Sequence, residues 1–408
     1  MSDTEQNRPV REAGGSVWEV FWVFLRLGLT SFGGPVAHLA YFREAFVERR
    51  KWLSERAYAD LMALCQFLPG PASSQVGMAL GLHRAGPGGL FAAWFAFTLP
   101  SAVLMIAFAY GVAAAGDLSD AGWINGLKAA AVAVVAHAVL GMAKSMTPDA
   151  PRATIAALAA IIVLLAPHPA VLVGAIALSG VIGLIWLRPQ QQTSTEADTL
   201  HVRIPRPVAV ACLVLFGALL AGLPGLVALT QHSGLTLADT FYRAGSLVFG
   251  GGHVVLPLLQ AETVHPGLVD ADSFLAGYGA AQALPGPLFT FAAFLGASAE
   301  TDTTGVLGAV IAVVAIFLPG GLLLVGCLSF WEQLRSNRVA RRAMDGFNAG
   351  VVGILAAALY TPVFTEGVLQ VGIEALVVAI AAFIALSSWK IPAWAVVIAA
   401  GLLGWIVL

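Results

Sequence analysis

The sequence predicts an all-α polytopic membrane protein made of two inverted-topology repeats with discontinuous helices. Three observations carry that expectation. Of 408 residues, 59% are hydrophobic and 11% charged, against about 25% charged in ordinary soluble domains, and the mean hydropathy is +0.85. Two helix-breaking tetrads, Phe32-Gly33-Gly34-Pro35 and Leu68-Pro69-Gly70-Pro71, recur as Phe249-Gly250-Gly251-Gly252 and Leu284-Pro285-Gly286-Pro287. The charge of the connecting loops also reverses sign between the halves.

In chain order, residues 1–15 are polar and read as a short disordered tail with no signal-peptide pattern. The first repeat occupies residues 16–188. Its first apolar run, 17–29, carries Arg26 and stops at the Phe32 tetrad; an amphipathic piece, 36–47, follows. A basic loop holds Arg43, Arg49, Arg50, Lys51 and Arg56. A helix from Ser54 to Leu68, with Ser54 placed to cap it, breaks at Pro69-Gly70-Pro71 and restarts through Ser73-Ser74-Gln75. Proline removes a backbone donor, and glycine is a poor helix former. In a bilayer the freed backbone groups must face protein or a water-filled cavity. Cleaner spans follow near 88–115, 123–146, 153–166 and 170–187. Residues 189–206 read as a polar linker and 207–230 as an extra helix that flips what comes next. The second repeat, 231–408, has spans near 305–330, 344–360, 373–387 and 392–408. If the four broken segments dip in and return, nine helices span fully; if all four cross, thirteen do.

The duplication is legible residue by residue. Arg26 and Phe32 match Arg243 and Phe249; Gln66 and Leu68 match Gln282 and Leu284; Leu99-Pro100 matches Leu318-Pro319; Asn125-Gly126 matches Asp345-Gly346. The basic loop 43–56 corresponds to Glu262, Asp270 and Asp272; Asp117 and Asp120 to Arg335, Arg338, Arg341 and Arg342; Lys144 and Arg152 to Glu366 and Glu374. Since Lys and Arg near span ends stay cytoplasmic, three reversals imply halves of opposite orientation. Inverted repeats with paired broken helices are a transporter architecture, with the binding site at the breaks. An anion channel is the rival, since half-helices also build pores. An enzyme is disfavoured: no nucleophile–base pair emerges, and Cys65, Cys212 and Cys327 lack the spacing of a metal site or disulfide framework. No phosphate-binding loop points to ATP drive, and no cofactor, catalytic group or metal is expected.

The run Phe32-Gly33-Gly34-Pro35 to His38, then Trp52-Leu53, Gln66 and Leu68-Pro69-Gly70-Pro71 with Ser73 and Gln75, resembles the chromate transporter family. So does Phe249 to Pro257, followed by Gln282 and Leu284 to Phe289. The resemblance covers nearly the whole chain in the family's long two-domain form and departs where Leu268-Val269 stands for Trp52-Leu53. It implies secondary active export of chromate across the bacterial inner membrane, conferring resistance, with a sulfate-type oxyanion permease or channel as the alternative. The implied partners are chromate or a related oxyanion such as sulfate, a coupling ion for which the proton is a candidate, and the lipid bilayer. A homodimer is open; a nucleic acid is not expected.

A tetrahedral dianion needs positive potential and directed donors. Helix N-termini supply orphan N–H groups and partial positive charge, and glycine lets an oxyanion approach the backbone. The candidate substrate-binding residues are therefore Phe32, Gly33, Gly34, Pro35, Pro69, Gly70, Pro71, Ser73 and Gln75, with Gly250, Gly251, Gly252, Pro285, Gly286 and Pro287. Arg26 and Arg243 are candidates because a guanidinium in an apolar segment is expensive and suits an oxyanion. Against this, Arg26 can snorkel to the surface. His38, His253, Gln66, Gln282 and Lys128 are candidate proton or polar relays, although a lone histidine is more often a satisfied hydrogen-bonder.

Overall fold

A computed structural model describes residues 15–115, 121–188, 204–249 and 252–408. The N-terminal tail before Gly15, Asp117, Asp120, linker residues 189–203, Gly250 and Gly251 lie outside the described residues. Every regular element described is helical.

Helix α1 (Val17–Thr30) starts on Ser16, whose hydroxyl accepts from the Glu19 amide, and stops at the Phe32 tetrad. Helix α2 (Gly34–Arg43) continues as a π turn, Glu44–Arg49. Trp52 beyond it lies 5.1 Å from the Arg84 guanidinium, which also pairs with Glu19 at 3.1 Å. The chain thus dips inward and returns to the level at which it entered. Helix α3 (Glu55–Phe67) is capped by Ser54, as expected. Helix α4 (Ala72–Ala115) returns to that same end and kinks at Ala85-Gly86. Its remaining residues, 87–115, then rise about 43 Å at about 1.5 Å per residue to the opposite end. The end at Arg84 is called here end A, the other end B.

Helices α5 (Gly122–Met146), α6 (Ala150–Leu165) and α7 (Pro169–Trp186) run back and forth, and α8 (Arg206–Thr230) leads from A to B along the outside. From B, α9 (Ser233–Ser246) enters to the Phe249 break. A 3-10 turn (Gly252–Val254) and α10 (Val255–Thr263) return. Helix α11 (Ala271–Ala283) enters to Leu284, and α12 (Phe291–Ala297) returns behind a 3-10 turn. Helix α13 (Gly305–Leu328) crosses to A, where the Ser329 hydroxyl donates to the Ile204 carbonyl at 3.1 Å. A short α14 (Trp331–Ser336) precedes α15 (Arg338–Ala358), which runs on into Leu359–Leu369, a segment interrupted by extended backbone at Thr361; α16 (Ile373–Ser387) and α17 (Ala393–Val407) finish the chain. Helix α15 starts six residues before the span expected at 344, because Asn337 caps it through the Val339 and Ala340 amides and makes the basic turn helical. Six helices among the described residues are long and apolar enough to cross a membrane, and α6, α16 and α17 are shorter apolar companions. The protein is an all-α, multi-pass membrane protein.

The halves use the same packing contacts. Gly28 of α1 closes on the Phe97 carbonyl of α4, and Gly245 of α9 on the Ile316 carbonyl of α13. Both carbonyls belong to the residue three before the helix-internal proline, Pro100 or Pro319. Gly81 meets Gly89 where Gly296 meets Gly308, small residues allowing backbones to approach where lipid supplies no hydrophobic drive. The halves also exchange partners: α5 packs on α16 and α17, while α15 packs on α6 and α7.

Candidate functional site

The described residues at and beside the four breaks interlock reciprocally. The Gly70 amide donates to the Val248 carbonyl at 2.8 Å, and the Gly286 amide to the Ser31 carbonyl at 2.9 Å. Ser31 and Val248 each stand immediately before a Phe-Gly-Gly break, so each Leu-Pro-Gly-Pro tip is tied to the other half. A Cβ built on Gly252 would come within 2.9 Å of Pro35, its counterpart in the first half. Gly70 and Gly286 have φ of +120° and +99°, backbone that disfavours any side chain.

Around these ties lies a polar layer. Gln75, fully buried, donates from Nε2 to the Pro69 and Gly320 carbonyls at 3.0 and 3.1 Å. His38, equally buried, sits 3.2 Å from the Ser31 carbonyl through Nε2 and 3.4 Å from Ser73 Oγ through Nδ1. The Ser101 and Thr290 hydroxyls are 2.5 Å apart, and Thr290 donates to the Pro287 carbonyl. Buried beside them without a hydrogen-bond partner are Ser31 Oγ, Ser74 Oγ, Gln75 Oε1 and Thr98 Oγ1. Unsatisfied polar atoms are costly in an apolar interior, and these four could be satisfied by a polar guest. Helix α2 and the 3-10 turn before α12 begin at these tips with no side-chain cap, and a helix N-terminus favours an anion.

Other expected residues lie apart. Phe32 packs on Trp394 at the edge of the tips, ring centroids 5.6 Å apart. Gln66 is exposed on α3, whereas Gln282 is buried on α11 with Nε2 unpartnered. His253 bonds the Tyr278 hydroxyl at 2.9 Å. Lys128 is buried and pairs with Asp272 at 2.7 Å. Arg26 and Arg243 have different surroundings. Arg26 is exposed in a groove with Arg49 and Arg50 at the A side, whereas Arg243 pairs with Asp239 at 2.5 Å and Glu262 at 3.3 Å. A cavity of about 890 Å³ lies between α4, α8 and α13, with a mostly apolar lining that includes none of the polar residues of the tips. Ser31, Thr98 and Ser101 were not among the expected residues. A signal existed for Ser101, which follows Leu99-Pro100 where Gly320 follows Leu318-Pro319.

The chromate transporter family model matches residues 18–184 and again 235–405. The chain belongs to the chromate transporter family. A chromate transport protein of Pseudomonas aeruginosa is 30% identical over 401 residues, 95% of this chain and 92% of that one. An uncharacterized transporter of Methanocaldococcus jannaschii is 26% identical, covering 84% and 83%. A chromate transport protein of Cupriavidus metallidurans is 24% identical, covering 82% and 80%. No solved structure matches. The two matched stretches of this chromate transporter family member are the two halves whose tips interlock.

Proposed function

We propose that this chain is a secondary active transporter that exports chromate from the bacterial cytoplasm, binding the oxyanion at the interlocked tips. Family membership and the relatives named for chromate transport support the substrate. The uncapped half-helix starts, with the unpartnered Ser31, Ser74, Gln75 and Thr98, support the location. Orientation follows from charge. Arg43, Arg49, Arg50, Arg84, Lys144, Arg152, Arg338, Arg342 and Lys390 belong to turns and helix ends at A, and Glu262, Asp270, Glu300, Asp302 and Glu374 to those at B. End A is then cytoplasmic, and the halves are inverted repeats.

One observation carries the transporter reading over the channel: repeat-equivalent elements are in different states. Helix α11 is buried against α5 and α17, with Gly279 on the Leu127 carbonyl and Asp272 on Lys128. Its counterpart α3 leaves Arg56, Ala63 and Gln66 exposed. Asp272 corresponds to Arg56 and Lys128 to Asn348, whose Oδ1 is buried without a partner. The reading is a molecule closed at B and open at A. In the exchanged state α3 seats on α15, Arg56 donates to Asn348, and the Lys128–Asp272 pair parts. A channel has no need of such exchange. His38, held between Ser31 and Ser73, is the candidate carrier of a coupling proton. Competition for labelled chromate uptake into everted vesicles by sulfate and molybdate tests the substrate. Sulfate that displaces chromate at equal concentration would move the assignment to a general oxyanion permease, and absence of uptake would refute export.

A further inference from the structure

Arg26 and Arg243 occupy equivalent places in the two halves, yet among the described residues only Arg243 has a carboxylate partner. Arg243 is neutralised by Asp239, one turn earlier, and by Glu262 on the returning helix. The corresponding positions beside Arg26 are Trp22 and Ala45. Neither offers a carboxylate. Arg26 instead lines a groove of about 260 Å³ between α1 and the π turn after α2, together with Thr30, Tyr41, Glu44, Arg49 and Arg50. Glu44 pairs with Arg49, which leaves three guanidinium groups against one carboxylate. The net excess matches a dianion. Tyr41 adds a phenol to the same wall, and planar guanidinium groups bind tetrahedral oxyanions through paired donors.

We infer that this groove is a second oxyanion site, separate from the tips, at which a free dianion such as chromate or the phosphate of an anionic phospholipid takes the place that Asp239 and Glu262 fill in the other half. The two sources share their chemistry but differ in consequence. A free oxyanion makes the groove a loading site on the cytoplasmic side, a role that rests on the orientation proposed above. A lipid phosphate makes it an anchor for the re-entrant α1–α2 hairpin.

The test restores to the groove the carboxylate it lacks. Ala45→Glu places an acid beside Arg26, Ala45→Gln is its uncharged control, and Arg50→Gln removes a donor should Ala45→Glu fail to fold. Radiolabelled chromate binding is measured on full-length protein that carries Gly70→Leu in every variant, so that the groove is the site read, in phosphatidylcholine nanodiscs, and retained phosphatidylglycerol by native mass spectrometry. For a free oxyanion, Ala45→Glu weakens chromate binding by about tenfold or more, Arg50→Gln weakens it less, and Ala45→Gln leaves it near the Gly70→Leu parent. For a lipid phosphate, chromate binding is unmoved, whereas that parent and Ala45→Gln retain phosphatidylglycerol that Ala45→Glu and Arg50→Gln lose. If neither ligand responds to Ala45→Glu or Arg50→Gln, the inference is overturned. Gly70→Leu, which obstructs the tips, is expected to leave this binding in place, so failure of the groove and failure of the tip site read out separately.

Discussion

Removing one charge from the Lys128–Asp272 pair should move the molecule between its two states. The Lys128 side chain is 4% exposed and that of Asp272 is 42% exposed. Breaking a fully buried pair costs about 3–5 kcal/mol, an exposed pair about 0–1 kcal/mol. With one end buried and the other nearly half in solvent, Asp272→Asn is expected to cost about 2 kcal/mol, between those limits. If the pair exists only in the state closed at B, that sum is withdrawn from one state alone. At about 1.4 kcal/mol per tenfold, the equilibrium shifts roughly 30-fold toward opening at B. Two single-cysteine reporters read it: Ala63→Cys on the exposed face of α3 and Ala276→Cys on the buried face of α11. Asp272→Asn should slow labelling of the α3 reporter by a thiol reagent applied from A and speed labelling of the α11 reporter from B. Loss of thermal stability with both labelling rates unchanged would refute the reasoning and leave a static ion pair.

Leucine at Gly70 or Gly286 must adopt a backbone worth about 1–3 kcal/mol of strain and meets Gln75 and Gly320, or Ser101 and Phe97. Each variant should insert but lose most chromate transport in vesicles, and near-normal transport by both would make the tetrads mere kinks. Ser54→Cys and Asp302→Cys should react with an impermeant thiol reagent from opposite faces of the membrane; reaction from one face would end the inverted reading. Arg243→Leu should lower thermal stability by leaving Asp239 and Glu262 without their cation, whereas Arg26→Leu should not. Equal destabilisation by both would show that Arg26 has an internal partner as well.

Much of this architecture was legible because a membrane restricts what a chain can do. Glycine and proline inside apolar runs have few explanations there, and both pairs of breaks lie in hairpins tied tip to tip. Ser54 capped its helix as its position implied. The interlocking itself was not legible, because the Gly70–Val248 and Gly286–Ser31 bonds use backbone groups that every residue carries. The arginines show a different limit. Spacing placed Arg26 and Arg243 at equivalent positions, but their surroundings depend on Asp239 and Glu262, whose counterparts Trp22 and Ala45 carry no charge. The sequence shows Lys128 only as a candidate polar relay, because its ion-pair partner Asp272 lies on another helix of the other half, a separation no local pattern reveals. Nor does the sequence announce that α3 and α11, alike in their Gln-x-Leu-Pro endings, are packed differently.

Alternating access through exchange of equivalent gates is tested most directly by two disulfide cross-links. One variant carries Lys128→Cys with Asp272→Cys, another Arg56→Cys with Asn348→Cys, and a third carries all four. Each pair should link during chromate turnover in vesicles, each link should stop transport until reduced, and no single molecule of the third variant should carry both. Failure of the Arg56–Asn348 pair to link during active transport, or both links in one working molecule, would contradict the account.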